Sequence, residues 1–208
     1  SALGNSKISN ESLLVMKGAS WLVEFPNLEI DEDCLIMMDW RCSIHPMGFF
    51  YGLPKSTDSI QIIAAVPMKR KDVFEIEKWE EAVKNYIKSK WGVEKYKIKR
   101  LSFGEVEMEY CIKKCNSKRV FKIGRNGGFV HKSTTYGFTP IINCSREIAK
   151  QLKVGQKIKI GHLRPNIIQN IWETSTVQMM KQHPKLMRSI YEYGLNKGSI
   201  EKWLNWLA

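Results

Sequence analysis

The sequence predicts an α+β fold, an antiparallel sheet followed by helices, and three observations predict it. Between Trp21 and Val66, short apolar segments alternate with polar turns, the pattern of a meander with one face on a core. From Glu75 to Lys90, apolar residues recur at helical spacing. Beyond Pro140 the apolar spacing is helical again. Sheet first and helices later is an α+β order.

Taken in order, residues 1–18 are polar and rich in Ser, Asn and Gly, which suits a connecting segment. Trp21–Phe25 and Cys34–Cys42 read as strands, with Asp39 and Arg41 on one face of the second. Phe49–Leu53 and Ser59–Val66 are two more, joined by a polar turn at residues 55–58. In Glu75–Lys90, Trp79, Ala82, Val83, Tyr86 and Ile87 form an apolar stripe, and Gly92 ends the helix. Tyr96–Phe103 alternates as a strand and runs on through Gly104 to Tyr110, placing Glu105, Glu107 and Glu109 on one face. Val120, Phe121 and Ile123 read as a further strand. Helices are predicted over Pro140–Leu152, Ile167–Lys181, Leu186–Tyr193 and Ser199–Leu207.

Composition bounds the function. A chain of 208 residues with 43% hydrophobic residues and seven tryptophans builds a packed core. No apolar run approaches the roughly 18 residues of a membrane span, and no signal peptide is visible. The five cysteines follow no disulfide-framework spacing and include no second cluster to complete a zinc site, which points to reduced cysteines and a cytoplasmic setting. A net charge of +12 suits solvated surface charge, and it also leaves open peripheral attraction to an anionic membrane. No pattern of a specific nucleic-acid reader accompanies it.

Gly124, Gly127 and Gly128 lie between the apolar run and the later helices. Glycines let the main chain approach a phosphate closely, and a helix start adds partial positive charge. The spacing G-x-x-G-G differs from the dinucleotide-binding G-x-G-x-x-G, which occurs nowhere in the chain. A structural turn and a phosphate cradle are both open on spacing alone.

The segment Gly124-x-x-Gly-Gly-Phe-Val-His-Lys-Ser-Thr-Thr-Tyr136 resembles the flavin-contacting segment of the lycopene cyclase family, G-x-x-G-G-M, two residues, then P-S-T-G-Y. Met37-Met-Asp-Trp-Arg41 is similar to the family's M-D-[FW]-R, and Phe49-Phe-Tyr-Gly-Leu-Pro54 to its F-x-Y-x-x-P. Phe103-Gly-Glu-Val-Glu-Met108 is similar to F-G-x-I-P-M, and Leu186–Leu207 resembles the last helices. The motifs keep the family's order over most of the chain.

What the resemblance implies is a flavoprotein: an antiparallel substrate-binding sheet completing a Rossmann-like FAD-binding fold of the glutathione-reductase or hydroxybenzoate-hydroxylase type. Its N-terminal half would be supplied by residues outside these 208, in the same or a separate chain, and this segment alone would not hold a flavin. The expected domains are a connecting segment, 1–18; a substrate-binding sheet with one helix, 19–118; a returning flavin-contacting segment, 119–155; and C-terminal helices, 156–208. Gly124, Gly127 and Gly128 would approach FAD, with Thr134 and Tyr136 beside it, and exposed apolar surface is expected along the docking face of 119–153. Trp40, Phe49, Tyr51 and Phe103 would line a tunnel for a hydrophobic isoprenoid, while Asp39 and Arg41 would be the catalytic pair. His131 is a further candidate for contact with the cofactor.

The family's reaction is an acid-initiated, redox-neutral closure of a polyene end, in which reduced flavin stabilises the cationic transition state. A buried carboxylic acid with a raised pKa suits the proton delivery, and aromatic walls suit the carbocation. The chain departs from the pattern at the family's essential glutamate, whose position falls on Ile63 when counted without gaps from Pro54. Three readings therefore stand: a lycopene cyclase-like flavoprotein, a flavin-dependent oxidoreductase on the same scaffold, and a non-catalytic basic protein that binds anionic lipid or nucleic acid.

Overall fold

The computed structural model describes residues 13–109 and 120–198, and the chain divides into two compact units, residues 1–106 and 107–208. In the first unit, strands β1 (Leu14–Glu24), β2 (Ile36–Asp39), β3 (Phe49–Ser56), β4 (Ser59–Lys69) and β5 (Lys97–Glu107) form an open sheet. Its order is β2-β3-β4-β1-β5. The central strands pair antiparallel along their whole length, from Leu14 opposite Lys69 to Glu24 opposite Ser59. The hairpin β3–β4 adds Phe49 opposite Ala65 through Ser56 opposite Ser59.

Helix α1 (Ile76–Trp91) covers one face of this sheet. Its stripe Trp79, Ala82, Val83, Tyr86 and Ile87 is buried as the spacing predicts. It meets Ala19, Trp21 and Val23 of β1, Phe50 of β3, and Ile60, Ile62, Ala64 and Val66 of β4. Gly92 ends the helix in the left-handed region at φ 67°, where its N–H bonds the Lys88 carbonyl. Each fully buried aliphatic or aromatic side chain here stabilises the unit by about 1.5–3 kcal/mol.

The first strand begins at Leu14, so residues 14–18 of the expected connecting segment are sheet. The reason is Lys17, a charged residue that a linker reading places in water. It is buried on the α1 side, and its Nζ donates to the main-chain carbonyls of Arg70 and Asp72. Those carbonyls replace water around the ammonium group, which is what makes its burial tolerable. β2 is shorter than the predicted Cys34–Cys42.

The second unit holds α2 (Gly124–Gly127), α3 (Phe138–Lys153), α4 (Ile167–Gln182) and α5 (Pro184–Lys197). A short 3-10 turn, Gly161–Leu163, precedes α4. Phe129, Cys144 and Ile160 form its apolar centre, with Ile141, Ile148, Ile158 and Leu163 packed around them. The Gln151 side chain joins the end of α3 to the segment before the 3-10 turn, accepting from Lys159 N–H and donating to its carbonyl. Asn166 caps α4, its side chain accepting from the Gln169 N–H. The strand expected at Val120–Ile123 is absent: these residues are irregular, and the chain turns directly into α2. An apolar run becomes a strand only within a sheet ladder, and the sheet among the described residues is made of β1 to β5. The helix predicted over Ser199–Leu207 lies outside the described residues, as do Cys111 and Cys115. Among the described residues, no helix is long and apolar enough to cross a membrane.

Candidate functional site

Strand alternation sorts the candidate residues of the first unit onto two faces of the sheet. Phe50, Ala64 and Ala19 lie in one cross-strand row and face α1. Phe49, Ala65 and Gly18 form the adjacent row and face the other way, as do Tyr51, Ile63 and Ser20 one step further along. On this second face Trp40 meets Phe49 edge-on, ring centroids 5.3 Å apart, and Phe49 meets Tyr51 at 5.0 Å. Ile63 stands directly opposite Tyr51. The neighbouring Ser20 hydroxyl bonds the Ser102 hydroxyl of β5 at 2.8 Å. Burial pushes the Tyr51 phenol above its ordinary pKa, so it stays protonated. This face carries a continuous aromatic wall ending beside an aliphatic residue and neutral hydroxyls.

Phe103 does not join that wall. Its ring lies tilted against Phe74, centroids 4.1 Å apart, and Phe74 in turn sits 4.8 Å from Trp79 of α1, so Phe103 belongs to the helix side of the sheet. Its neighbour Ser102, pointing the opposite way, is the β5 residue that meets the second face.

Asp39 and Arg41 also lie on the helix side. A register shift between Ile36 and Asp39, with Met38 in the left-handed region at φ 51°, re-aims the end of β2 so that Asp39 stands opposite Phe50. The Arg41 guanidinium grips the Asp39 carboxylate through Nε at 2.9 Å and Nη2 at 2.5 Å. The Tyr86 hydroxyl donates to the same carboxylate at 3.1 Å, and Arg41 reaches the Ser89 carbonyl at 3.3 Å. Arg41 lies 5.2 Å over the Tyr86 ring, which is stacked on Phe50. Burial alone raises the Asp39 pKa; the hydrogen bonds and charge of Arg41, with the Tyr86 hydroxyl, outweigh it and leave the carboxyl below its ordinary value. A carboxylate held ionised by a fork-shaped cation is a poor proton donor. It is a good clamp between the edge of the sheet and α1.

The three in-line glutamates do not act together. Glu105 pairs with Arg70, Glu107 with Arg125, and Glu109 with Lys181 and Gln178. Each carboxylate has its own donor, so none is left to relay protons to the next.

In the second unit the glycine segment closes on itself. A Cβ on Gly127 would fall 2.1 Å from the Lys122 carbonyl oxygen and 2.8 Å from the Phe129 ring, so the close approach this glycine permits is to its own chain. Gly128 ends α2 in the left-handed region at φ 79°, and its N–H bonds the Arg125 carbonyl. Phe129 N–H bonds the Gly124 carbonyl, and Arg164 Nε donates to the Gly127 carbonyl at 2.8 Å. Thr134 and Tyr136 are half-buried; Tyr136 N–H donates to the Thr134 hydroxyl, and the Tyr136 hydroxyl meets that of Thr139 at 3.0 Å.

Beyond the turn lies a group that sequence reasoning missed. Glu173 of α4 is buried, and its carboxylate accepts from His131 Nδ1 at 2.5 Å, from Ser133 N–H at 2.8 Å and from the Ser133 hydroxyl at 3.1 Å. Burial raises the Glu173 pKa, but the bonds from His131 and Ser133 and the His131 interaction outweigh it and keep the carboxyl ionised. Tyr191 of α5 is the next neighbour; burial first, then the Glu173 charge, keeps its phenol protonated. A sequence signal existed. Glu173 occupies the buried stripe of α4 with Thr176, Val177 and Met180, at positions where an unpartnered charge cannot lie.

The family model described as lycopene cyclase protein matches residues 2–203. The chain belongs to the lycopene cyclase family. No curated protein matches it. Family membership makes this a carotenoid-related protein of isoprenoid biosynthesis, in a family that is generally flavin-associated.

As a lycopene cyclase family member the chain is expected to meet FAD, and the glycine segment is where that expectation can be examined. The residues do not fit a cradle for the cofactor's phosphates. Gly127 is packed against its own backbone, and Gly128 serves a helix end. The Ser133 N–H and hydroxyl already bind an anion, the carboxylate of Glu173. A second anion beside that buried charge would be repelled. Val120, Phe121, Ile123 and Phe138 are exposed apolar residues flanking the turn.

Proposed function

We propose that this lycopene cyclase family member binds a polyene or related isoprenoid along the sheet face that carries Trp40, Phe49 and Tyr51. The observation that carries the reading is this edge-to-face aromatic series on the face opposite α1, in a chain whose family match spans residues 2–203. In the reading, the rings exclude water from a hydrophobic chain, and their faces stabilise positive charge developing on it. FAD is the cofactor of the intact protein, and its redox or charge-stabilising chemistry is what it supplies when bound. Its phosphates are held by a Rossmann-like portion built from other residues, of this or a separate chain. Asp39 and Arg41 act as a positioning clamp rather than as the acid.

Ile63 favours a second reading alongside the first. The family's glutamate position is aliphatic here and faces Tyr51 and the serine hydroxyls. A scaffold without that acid suits a flavin-dependent oxidation or reduction of a related isoprenoid. Incubating the intact protein with lycopene and reduced flavin, and resolving the products by chromatography, tests both. Ring closure without flavin oxidation supports cyclisation, and a change in substrate hydrogen count coupled to flavin turnover supports the oxidoreductase. Release of no flavin and retention of no polyene by the intact protein would refute both.

A further inference from the structure

Three donors of the glycine segment converge on one carboxylate. His131 Nδ1 and the two Ser133 donors approach both oxygens of Glu173, which is buried and has Tyr191 as a neighbour. Because the carboxylate accepts only, the His131 ring must carry a proton on Nδ1. The same anchor fixes the segment downstream: Thr135 N–H bonds the His131 carbonyl, His131 N–H bonds the Tyr136 carbonyl, and Thr135 sits in the left-handed region at φ 58°. A β-branched residue holds that conformation only when its surroundings impose it.

We propose that the donors of residues 131–133 form an anion site whose occupant is Glu173 of the same unit, making Glu173 the positioning residue that sets His131, Thr134 and Tyr136. The inference concerns this chain's own residues and deepens the reading above on one point: the segment is pre-shaped by an internal carboxylate and does not hold a dinucleotide's phosphates. Within that reading, the half-buried Thr134–Tyr136 edge is what the segment offers to a neutral or ring-like portion of a ligand.

The test uses the intact protein, with Glu173→Gln, Glu173→Ala and Ser133→Ala variants. Nitrogen NMR of the His131 ring reads the tautomer directly. The expected result is an Nδ1-protonated ring in the wild type and a mixed or reversed tautomer in Glu173→Gln. Formate, which can enter the space left in Glu173→Ala, is expected to raise that variant's melting temperature by several degrees and leave the wild type unchanged. Should Glu173→Ala fail to fold, Glu173→Gln and Ser133→Ala still report through the ring signal. Inorganic pyrophosphate is the opposing probe, and it is expected to leave the wild-type amide signals of Gly124, Gly127, Gly128 and Ser133 in place. Saturable shifts of those amides with pyrophosphate, or an unchanged His131 tautomer in Glu173→Gln, would overturn the proposal. None of these readouts uses flavin or polyene, so a failure of the proposed function would be recognised separately, by absent flavin and polyene binding.

Discussion

Asp39 and Glu173 are both carboxylates held below their ordinary pKa, and they are held for different reasons. Asp39 sits at the edge of a sheet, gripped by an arginine whose side chain is 42% exposed. Glu173 sits inside a helical unit, with a side chain 4% exposed and, among the described residues, histidine and serine donors on its carboxylate. The edge pair keeps access to water if it breaks, and the buried one does not. The difference teaches that a carboxylate inside a recognisable motif need not be the one on which the structure depends.

Removing each carboxylate should sharpen that contrast. Glu173→Ala leaves buried donors without a partner and should cost about 3–5 kcal/mol in denaturant unfolding followed by near-ultraviolet circular dichroism. The acid limb of the stability curve should change with it. A folded-state pKa below the unfolded value contributes stability that is present above pH 4.5, the ordinary value for Glu173, and is lost as pH falls through the folded one. Glu173→Gln should therefore flatten the curve below that pH, and an unaltered acid limb would break the comparison.

Next in size is the glycine turn. Gly127→Ala should cost about 3 kcal/mol, because the added methyl group meets main-chain atoms of Lys122 that cannot swing aside. Gly104→Ala, with nothing within 4 Å, should stay within about 0.5 kcal/mol of wild type in the same assay. Comparable losses at both sites would show that Gly127 is not confined by its own chain. At the exposed edge, Asp39→Ala should cost only about 1 kcal/mol, since solvent screens the arginine pair and the principal loss is the bond from Tyr86. A loss equal to that of Glu173→Ala would erase the distinction between the two carboxylates.

Much of the first unit was legible because its signals are periodic. The α1 stripe, from Trp79 to Ile87, is buried residue for residue. The start of β1 was not legible, because Lys17 is stabilised by the Arg70 and Asp72 carbonyls just beyond β4, which no local window contains. Alternation along β3 was visible, yet the side chosen by α1 was not. Phe103 was therefore grouped with Trp40, Phe49 and Tyr51, although it packs on the helix side with Phe74. In the second unit, Val120–Ile123 has a strand's composition but lies outside the sheet of the described residues. Glu173 meets His131 across 42 residues of chain, so neither residue marks the other in sequence. The motif resemblance located the family. Only the fold separates the two faces of the sheet.

Of the two faces of the sheet, the one opposite α1 is proposed to meet the isoprenoid. The most direct measurement is the affinity of the intact protein for lycopene in detergent micelles, compared between Tyr51→Ala and Phe103→Ala. Loss of one well-placed aromatic contact is about 1.4 kcal/mol, so Tyr51→Ala should weaken binding about tenfold while Phe103→Ala leaves it unchanged. Weakening by Phe103→Ala with none by Tyr51→Ala would place the ligand on the helix side and contradict the account.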